Sequence, residues 1–332
     1  MICLNNKLHN IDYLKEVKVE LNQLLIMKLS SKFSIIKQND EAKTKNDATY
    51  HLESNKLGLL ICFIIFSTTY INAQNKDIFN NPPDSIPKIF AKGIISVQDR
   101  YEYGLAISPN YDEIFITVEQ PGDGLMVMKK LNDESWSNPK VANLRGNDSW
   151  EQEAFYTPDG QKLFFAILAN DTIRLWFCTK EKEGWSAPTL LDSPVNDTPV
   201  FWATFTNENT MYYSNLSVRK IFRSQISDNQ YKETENSGIP FGMHPSVSKD
   251  ESFILFNYRG DIYVAFKNKT NKWGEPIKLG EQINTSEYGE TCPSLSPDEK
   301  YIFFSRYNDT NKKSDIYWVS SSILEKYKKK EL

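Results

Sequence analysis

Four carboxylates, one tryptophan and one histidine mark where this chain can do chemistry: Glu102, Glu151, Glu153, Glu290, Trp202 and His244. Two carboxyl groups at a suitable separation act as acid and base on a glycosidic bond. The same oxygens accept hydroxyl protons or hold a cation. An indole face stacks on a sugar or base, and an imidazole moves a proton near neutral pH. Several chemistries are excluded. The sequence has no Gly-x-Ser-x-Gly elbow, no glycine-rich phosphate loop and no paired Cys/His spacing for zinc. Its three histidines are His9, His51 and His244, too few for a histidine-built metal centre. No metal and no cofactor is therefore expected. Glu102, Glu153 and Glu290 stay as candidates for a catalytic carboxylate pair. All six residues are candidates for ligand binding.

The elements that must position these residues are visible as a repeat. A tight-turn signal recurs at Ser108-Pro-Asn-Tyr, Thr157-Pro-Asp-Gly, Thr206-Asn-Glu-Asn, Ser248-Lys-Asp-Glu and Ser296-Pro-Asp-Glu, at intervals of 42 to 49 residues. Ser or Thr at the first position can bond the turn backbone, Pro pre-sets φ, and Asp, Asn and Gly suit the later positions. Each turn leads into an aromatic and β-branched run, at 114–118, 163–167, 211–213, 253–256 and 301–304. Such runs read as buried strands. A second strand follows each, at 125–128, 173–178, 221–226, 261–266 and 315–319.

A third signal comes later in the unit: Trp136-Ser-Asn-Pro, Trp185-Ser-Ala-Pro and Trp273-Gly-Glu-Pro, with Tyr231 in the equivalent place of the third unit. A Trp at a fixed repeat position reads as a packing anchor between neighbouring units. The Pro fits an exposed edge, since it has no N–H to give to a ladder.

Four short strands per unit, repeated five times, are expected to form an all-β fold, a five-bladed β-propeller of four-stranded antiparallel blades. The turn, the aromatic strand, Asp-Ile-Tyr at 261–263 and 315–317, and Trp-x-x-Pro resemble the WD40-like PD40 repeats of the TolB-type propeller family. The resemblance spans residues 86 to 322 and implies fold more than function. The last unit has no Trp-x-x-Pro segment. Residues 86–95, with Pro87-Lys-Ile-Phe matching Pro276-Ile-Lys-Leu, are expected to supply its outer strand and clasp the ring.

In a propeller the first strand of each blade lines the central channel. Residues before each turn then gather at one mouth: Glu102, Tyr103 and Gly104; Glu151, Gln152 and Glu153; Phe201 and Trp202; Met243 and His244; Glu290, Thr291 and Cys292. Arg100 is close by. The bland alternative is that these acids hydrate the channel or cap neighbouring backbone. On that reading His244 is a structural hydrogen-bonder and Cys292 a small buried hydrophobe.

Composition agrees with a folded chain. It has 332 residues, 25% charged, 40% hydrophobic and 13% aromatic, and only 14 Gly and 15 Pro. A net charge of −4 gives no reason to expect nucleic acid or an anionic membrane surface as partner.

Residues 57–69, LGLLICFIIFSTT, are apolar, too short for a span and suited to the core of a secretory signal. The segment resembles signal peptides of Bacteroidetes-type bacteria, with cleavage expected after Ala73. The expected plan is a leader at 1–55, read as an over-long gene model, a signal at 56–73, a linker at 74–85, the propeller at 86–323 and a Lys-rich, frayed tail at 324–332. An uncleaved anchor at 57–71 is the alternative. Cys62 lacks the small residues that precede a lipidated cysteine. Cys178 and Cys292 remain after the signal, and whether they pair is open.

The protein is therefore expected to be periplasmic or extracellular. The leading reading is a scaffold, TolB-like in the broad sense, that binds a protein or a glycan at the channel mouth. The short linker leaves no room for the separate N-terminal domain of TolB, which weakens the analogy. The alternative is a glycoside hydrolase-like enzyme with a carboxylate pair in the channel. A histidine-rich site of the oligogalacturonate lyase kind does not fit one histidine after residue 73, and intact sialidase-type Asp boxes are absent.

Overall fold

The computed structural model describes residues 77–328, apart from 121–123, 133, 147–148, 228–229, 232, 309 and 312. They lie in one compact unit, Ile71–Leu332. The expected leader, signal, anchor and Cys62 fall outside the described residues. No helix among the described residues is long and apolar enough to cross a membrane.

Five antiparallel meanders succeed one another along the chain. Blade 1 is Glu102–Ile107, Glu113–Val118, Gly124–Lys129 and Lys140–Val141. Blade 2 is Trp150–Tyr156, Lys162–Ala169, Thr172–Glu181 and Thr189–Leu190. Blade 3 is Val200–Phe205, Met211–Asn215, Lys220–Ser224 and Glu235–Asn236, with a small side hairpin of Ile226–Ser227 and Gln230–Tyr231. Blade 4 is Met243–Val247, Phe253–Tyr258, Asp261–Phe266 and Ile277–Lys278. Blade 5 is Gly289–Leu295, Tyr301–Asn308 and Lys313–Ser320, completed by Lys88–Ile89 from the other end of the chain. The first strands of the five blades touch one another in cyclic order, so they line a central channel and the ring is closed. The fold is the five-bladed propeller that the repeat predicts.

Each feature of the repeat has a structural job. The turn hydroxyls accept backbone N–H groups across the turn: Ser108 Oγ from Glu113 at 2.9 Å, Thr157 Oγ1 from Lys162 at 3.0 Å, Ser248 Oγ from Phe253 at 3.0 Å and Ser296 Oγ from Tyr301 at 2.9 Å. Thr206 accepts from Thr210, one residue earlier, because its turn is shorter. The second strands are sandwiched between neighbouring blades, which is why Glu113–Val118 is buried at all six positions.

The Trp positions join blades, as their spacing predicts. Trp185 Nε1 donates to Glu113 in blade 1 at 3.0 Å. Tyr231 meets Phe164 of blade 2 edge-on at 6.4 Å, and Trp273 meets Tyr212 of blade 3 at 6.1 Å. Trp136 is buried in a cluster with Phe303 and Trp318 of blade 5. Four of the five outer strands begin directly after a proline (Pro87, Pro139, Pro188 and Pro276) and run only two residues. That brevity leaves little open edge for another chain to extend.

The clasp is real but shorter than the ten residues expected. Lys88 pairs with Trp318 and Ile89 with Tyr317, and Phe90 N–H donates to Ile316 O at 2.7 Å. Beyond Phe90 the chain turns, with the N–H groups of Ile94 and Ile95 both bonded to Ala91 O. Phe90 and Ile95 are fully buried. The start of the tail is not frayed. Leu324 and Tyr327 are buried, and the Tyr327 hydroxyl accepts the Gly280 N–H at 2.7 Å. Residues 329–332 lie outside the described part.

The loops that deliver the chain into the channel are pinned by buried amides. Asn196 accepts the Leu175 N–H and donates to Leu175 O and Leu191 O. Asn284 does the same with Ile262 N–H, Ile262 O and Leu279 O. Ser96 holds both backbone groups of Ile316 in the corresponding place before blade 1.

Candidate functional site

Every channel strand carries a register shift at the same place: between Tyr103 and Ala106, Gln152 and Phe155, Phe201 and Ala203, Met243 and Ser246, and Thr291 and Ser294. At each shift one residue has a positive φ: Gly104 at 64°, Glu153 at 55°, Trp202 at 56°, His244 at 52° and Cys292 at 53°. These five residues each stand four positions before their turn, so the repeat places them in one ring. Left-handed backbone is uncommon outside glycine, and for Trp it is an outlier. A bulge admits it because the extra residue is freed from the ladder and its side chain is re-aimed. Hydroxyls on the preceding blade hold two of these backbones: Thr117 Oγ1 accepts the Glu153 N–H at 2.8 Å, and Ser214 Oγ the His244 N–H at 2.9 Å.

Trp202 closes the channel. It is fully buried, its indole N–H donates to Pro245 O at 2.9 Å, and Phe155 packs on it at 4.5 Å. A Cβ at Gly104 would stand 3.3 Å from Thr117 Oγ1 and 3.4 Å from the Trp202 ring, so a methyl there would touch the indole and a larger side chain would meet it. The indole is thus part of the channel wall and offers no free face to a ligand. The aromatic residues that stay partly exposed are Tyr103 and Phe201, one position earlier in their strands.

On the other side of Trp202 three functional groups converge. A Glu153 carboxylate oxygen, a His244 ring nitrogen and Cys292 Sγ all lie within 4.8 Å of one another. His244 Nε2 stands 3.5 Å from Glu153 Oε1, and Nδ1 stands 2.6 Å from Asn257 Oδ1. Burial disfavours the charged imidazolium, but Cys292 and Glu153 outweigh it and push the His244 pKa above its usual range. Glu153 Oε2 is buried with no hydrogen-bond partner. Above the trio sit Tyr103, whose hydroxyl donates to Gln152 Oε1 at 2.8 Å, and Thr291, whose Oγ1 is 3.6 Å from Cys292 Sγ. Burial, with the Glu153 and Cys292 charges behind it, raises the Tyr103 pKa.

The other three carboxylates turn away from the channel and into the loops before their strands. Glu102 accepts the Val97 N–H at 3.0 Å and pairs with Arg100 at 2.6 Å. Glu151 accepts the N–H groups of Leu144 and Arg145 at 3.0 and 2.6 Å. Glu290 accepts the Thr285 N–H and hydroxyl and pairs with Arg306 at 2.8 Å. Burial is the largest influence on Glu102, raising it to about 7, and also raises Glu290. These residues stand two positions before the ring and cap backbone, the bland alternative for the acidic mouth. Of the six candidates, then, only Glu153 and His244 bring open polar atoms together. Cys292, Asn257, Tyr103 and Phe201 join them. Cys292 shares the four-residue spacing of Glu153 and His244, and that spacing is the signal that points to it. Cys178 lies buried in a cluster between blades 1 and 2, and both cysteines are free thiols.

No protein-family model matches the chain, and comparison with curated proteins finds no match. Among solved structures, TolB from Acinetobacter baumannii is similar at 13% identity with a TM-score of 0.42, over 67% of this chain and 55% of that one. The chain thus spans about half the length of that protein. A GH43 endo-arabinanase from Bacillus licheniformis is similar at 11% identity and a TM-score of 0.47, over 67% of this chain and 94% of that one. A periplasmic gluconolactonase from Pseudomonas aeruginosa is similar at 14% identity and a TM-score of 0.41, over 62% and 65%.

Proposed function

We propose that the protein is an exported propeller that binds a glycan end on the face where the chain enters the channel strands. The observation that carries this reading is a partly exposed cluster of side chains on the channel strands beside the buried Trp202. It consists of two aromatic residues, Tyr103 and Phe201, with the polar side chains of Gln152 and Thr291 on neighbouring strands. Aromatic faces beside fixed polar groups suit a sugar ring, apolar on its faces and polar at its rim. A polar groove of about 440 Å³, lined by Arg259, Asp261, Glu287, Tyr307 and Asn308, opens on the same face between blades 4 and 5 and offers room for further sugar units. Export rests on the apolar segment at 57–69.

A carboxylate pair for glycoside hydrolysis has less support, because Glu102, Glu151 and Glu290 are engaged with loop backbone. A protein partner is the second reading. Leu168, Leu216, Val218 and Tyr288 are exposed at strand ends and hairpin tips of the entry face. Apolar tips around a mouth are common at protein-binding faces.

A glycan array probed with the full chain tests the proposal. Phe201→Ala is expected to lower affinity for the bound sugar class roughly tenfold, about 1.4 kcal/mol, with the melting temperature unchanged. If no glycan binds, or if Phe201→Ala and Tyr103→Ala bind like wild type, this cluster is not the site.

A further inference from the structure

We infer that Glu153, His244 and Cys292 form a mononuclear site for a divalent transition ion of the zinc class. The inference goes beyond the glycan reading and stands whether or not a sugar binds. The three residues belong to the channel strands of blades 2, 4 and 5, so their donor atoms are set by three ladders and not by loops. Those atoms already lie within 4.8 Å of one another. Donors bound tetrahedrally at roughly 2.0–2.3 Å stand about 3.5 Å apart, so no pair needs to close by more than about 1.3 Å.

Three further observations point to an ion. Glu153 is 5% exposed, yet its Oε2 has no hydrogen-bond partner, an expensive state for a buried carboxylate. The His244 ring is oriented from behind. Asn257 Oδ1 is an acceptor, so at 2.6 Å Nδ1 carries a proton, which leaves Nε2, on the side that Glu153 occupies, as the nitrogen that would take an ion in place of its own proton. A second partner of this kind is what fixes the tautomer of a metal-binding histidine. Finally, a thiolate and a carboxylate together balance a dication. The sulfur selects zinc, cobalt or a similar ion over calcium and magnesium.

The protein supplies three ligands. Trp202 shuts one side of the trio, while His244 is 17% exposed on the other, beneath Tyr103, Phe201 and Thr291. A three-ligand site with an open position binds water or a ligand atom. A purely structural zinc site is closed by a fourth protein ligand. The ion's fourth position would therefore face the partly exposed side of His244.

The test uses the full chain, stripped with a chelator and titrated with Zn²⁺ and with Co²⁺. One equivalent is expected to bind and to raise the melting temperature. The cobalt form is expected to show a thiolate-to-cobalt charge-transfer band and the intense visible bands of a four-coordinate centre. Cys292→Ser removes the charge-transfer band. Glu153→Gln, nearly isosteric, lowers zinc affinity by about 100-fold or more. Asn257→Ala lowers it about 10- to 100-fold, since it acts through His244. The inference is overturned if no ion binds in stoichiometric amount. It is equally overturned if the cobalt band survives in Cys292→Ser, which would place the ion on another thiol, Cys3, Cys62 or Cys178. It also fails if Glu153→Gln, folded as judged by its melting curve, binds zinc like wild type. Zinc binding without glycan binding would defeat only the function proposed above.

Discussion

Ionising Glu102 costs the folded protein stability. The side chain is fully buried, and burial raises its pKa from 4.5 to about 7 against the opposing pull of the Val97 N–H and Arg100. Between those two values the folded chain holds a proton that the unfolded chain has lost. The contribution of this group is therefore complete below the unfolded value and is lost as pH rises through the folded one. The full loss is roughly 3 kcal/mol. Glu102→Gln is expected to remove it, so the unfolding free energy of wild type should fall relative to the variant between pH 5 and pH 8. A difference that does not change with pH would show that Arg100 keeps the carboxylate ionised throughout. Trp202→Ala belongs to the same scale. It empties the middle of the channel and should cost about 3–5 kcal/mol in denaturant unfolding, where Phe201→Ala costs little. Candidate residues were only partly legible in the sequence. Periodicity carries Glu153, His244 and Cys292 to one ring. It does not say that Glu102, Glu151 and Glu290, two positions earlier, face loops, because the bulge between the two sets breaks the alternation that a regular strand would keep.

At the scale of elements, strands were the readable part. An aromatic, β-branched run bounded by turn residues is buried on both faces, and that pattern survives in a single sequence. The hydrogen-bonded loops were not readable. Asn196 and Asn284 each make three buried bonds, yet neither lies in a periodic segment. Asn284→Ala should leave the Ile262 N–H and two carbonyls without partners and cost about 2–4 kcal/mol. A lower denaturant midpoint at unchanged slope would confirm it. A midpoint equal to wild type would mean that water replaces the amide. The tail was unreadable for a related reason. Burial of Leu324 and Tyr327 is decided by where blades 4 and 5 leave a surface to cover, and nothing in the tail's own Lys-rich composition records that.

At the scale of the whole molecule, closure is the feature on which the rest depends. The clasp contributes two ladder residues, but Phe79 and Phe90 extend it into the aromatic cluster of Trp318, Phe303 and Trp136. Most of its worth is therefore apolar burial. Deleting residues 77–95 should lower the melting temperature by roughly 10 °C or more. An unchanged melting curve would show that the ring holds without the clasp. The sequence revealed this closure through a gap in the last repeat and a matching segment at the other end, a long-range relation that composition alone would not have shown.

The five left-handed positions have one more consequence. Because the same backbone conformation is filled by Gly, Glu, Trp, His and Cys, it does not dictate the side chain it carries. Each position behaves as an interchangeable socket on a common chassis. The chemistry at the centre of the ring can be respelled one codon at a time, with no strand changing its register. The standing constraint is volume. An indole that reaches across the channel leaves the facing position space for little beyond a methyl, and Gly104 stands there opposite Trp202.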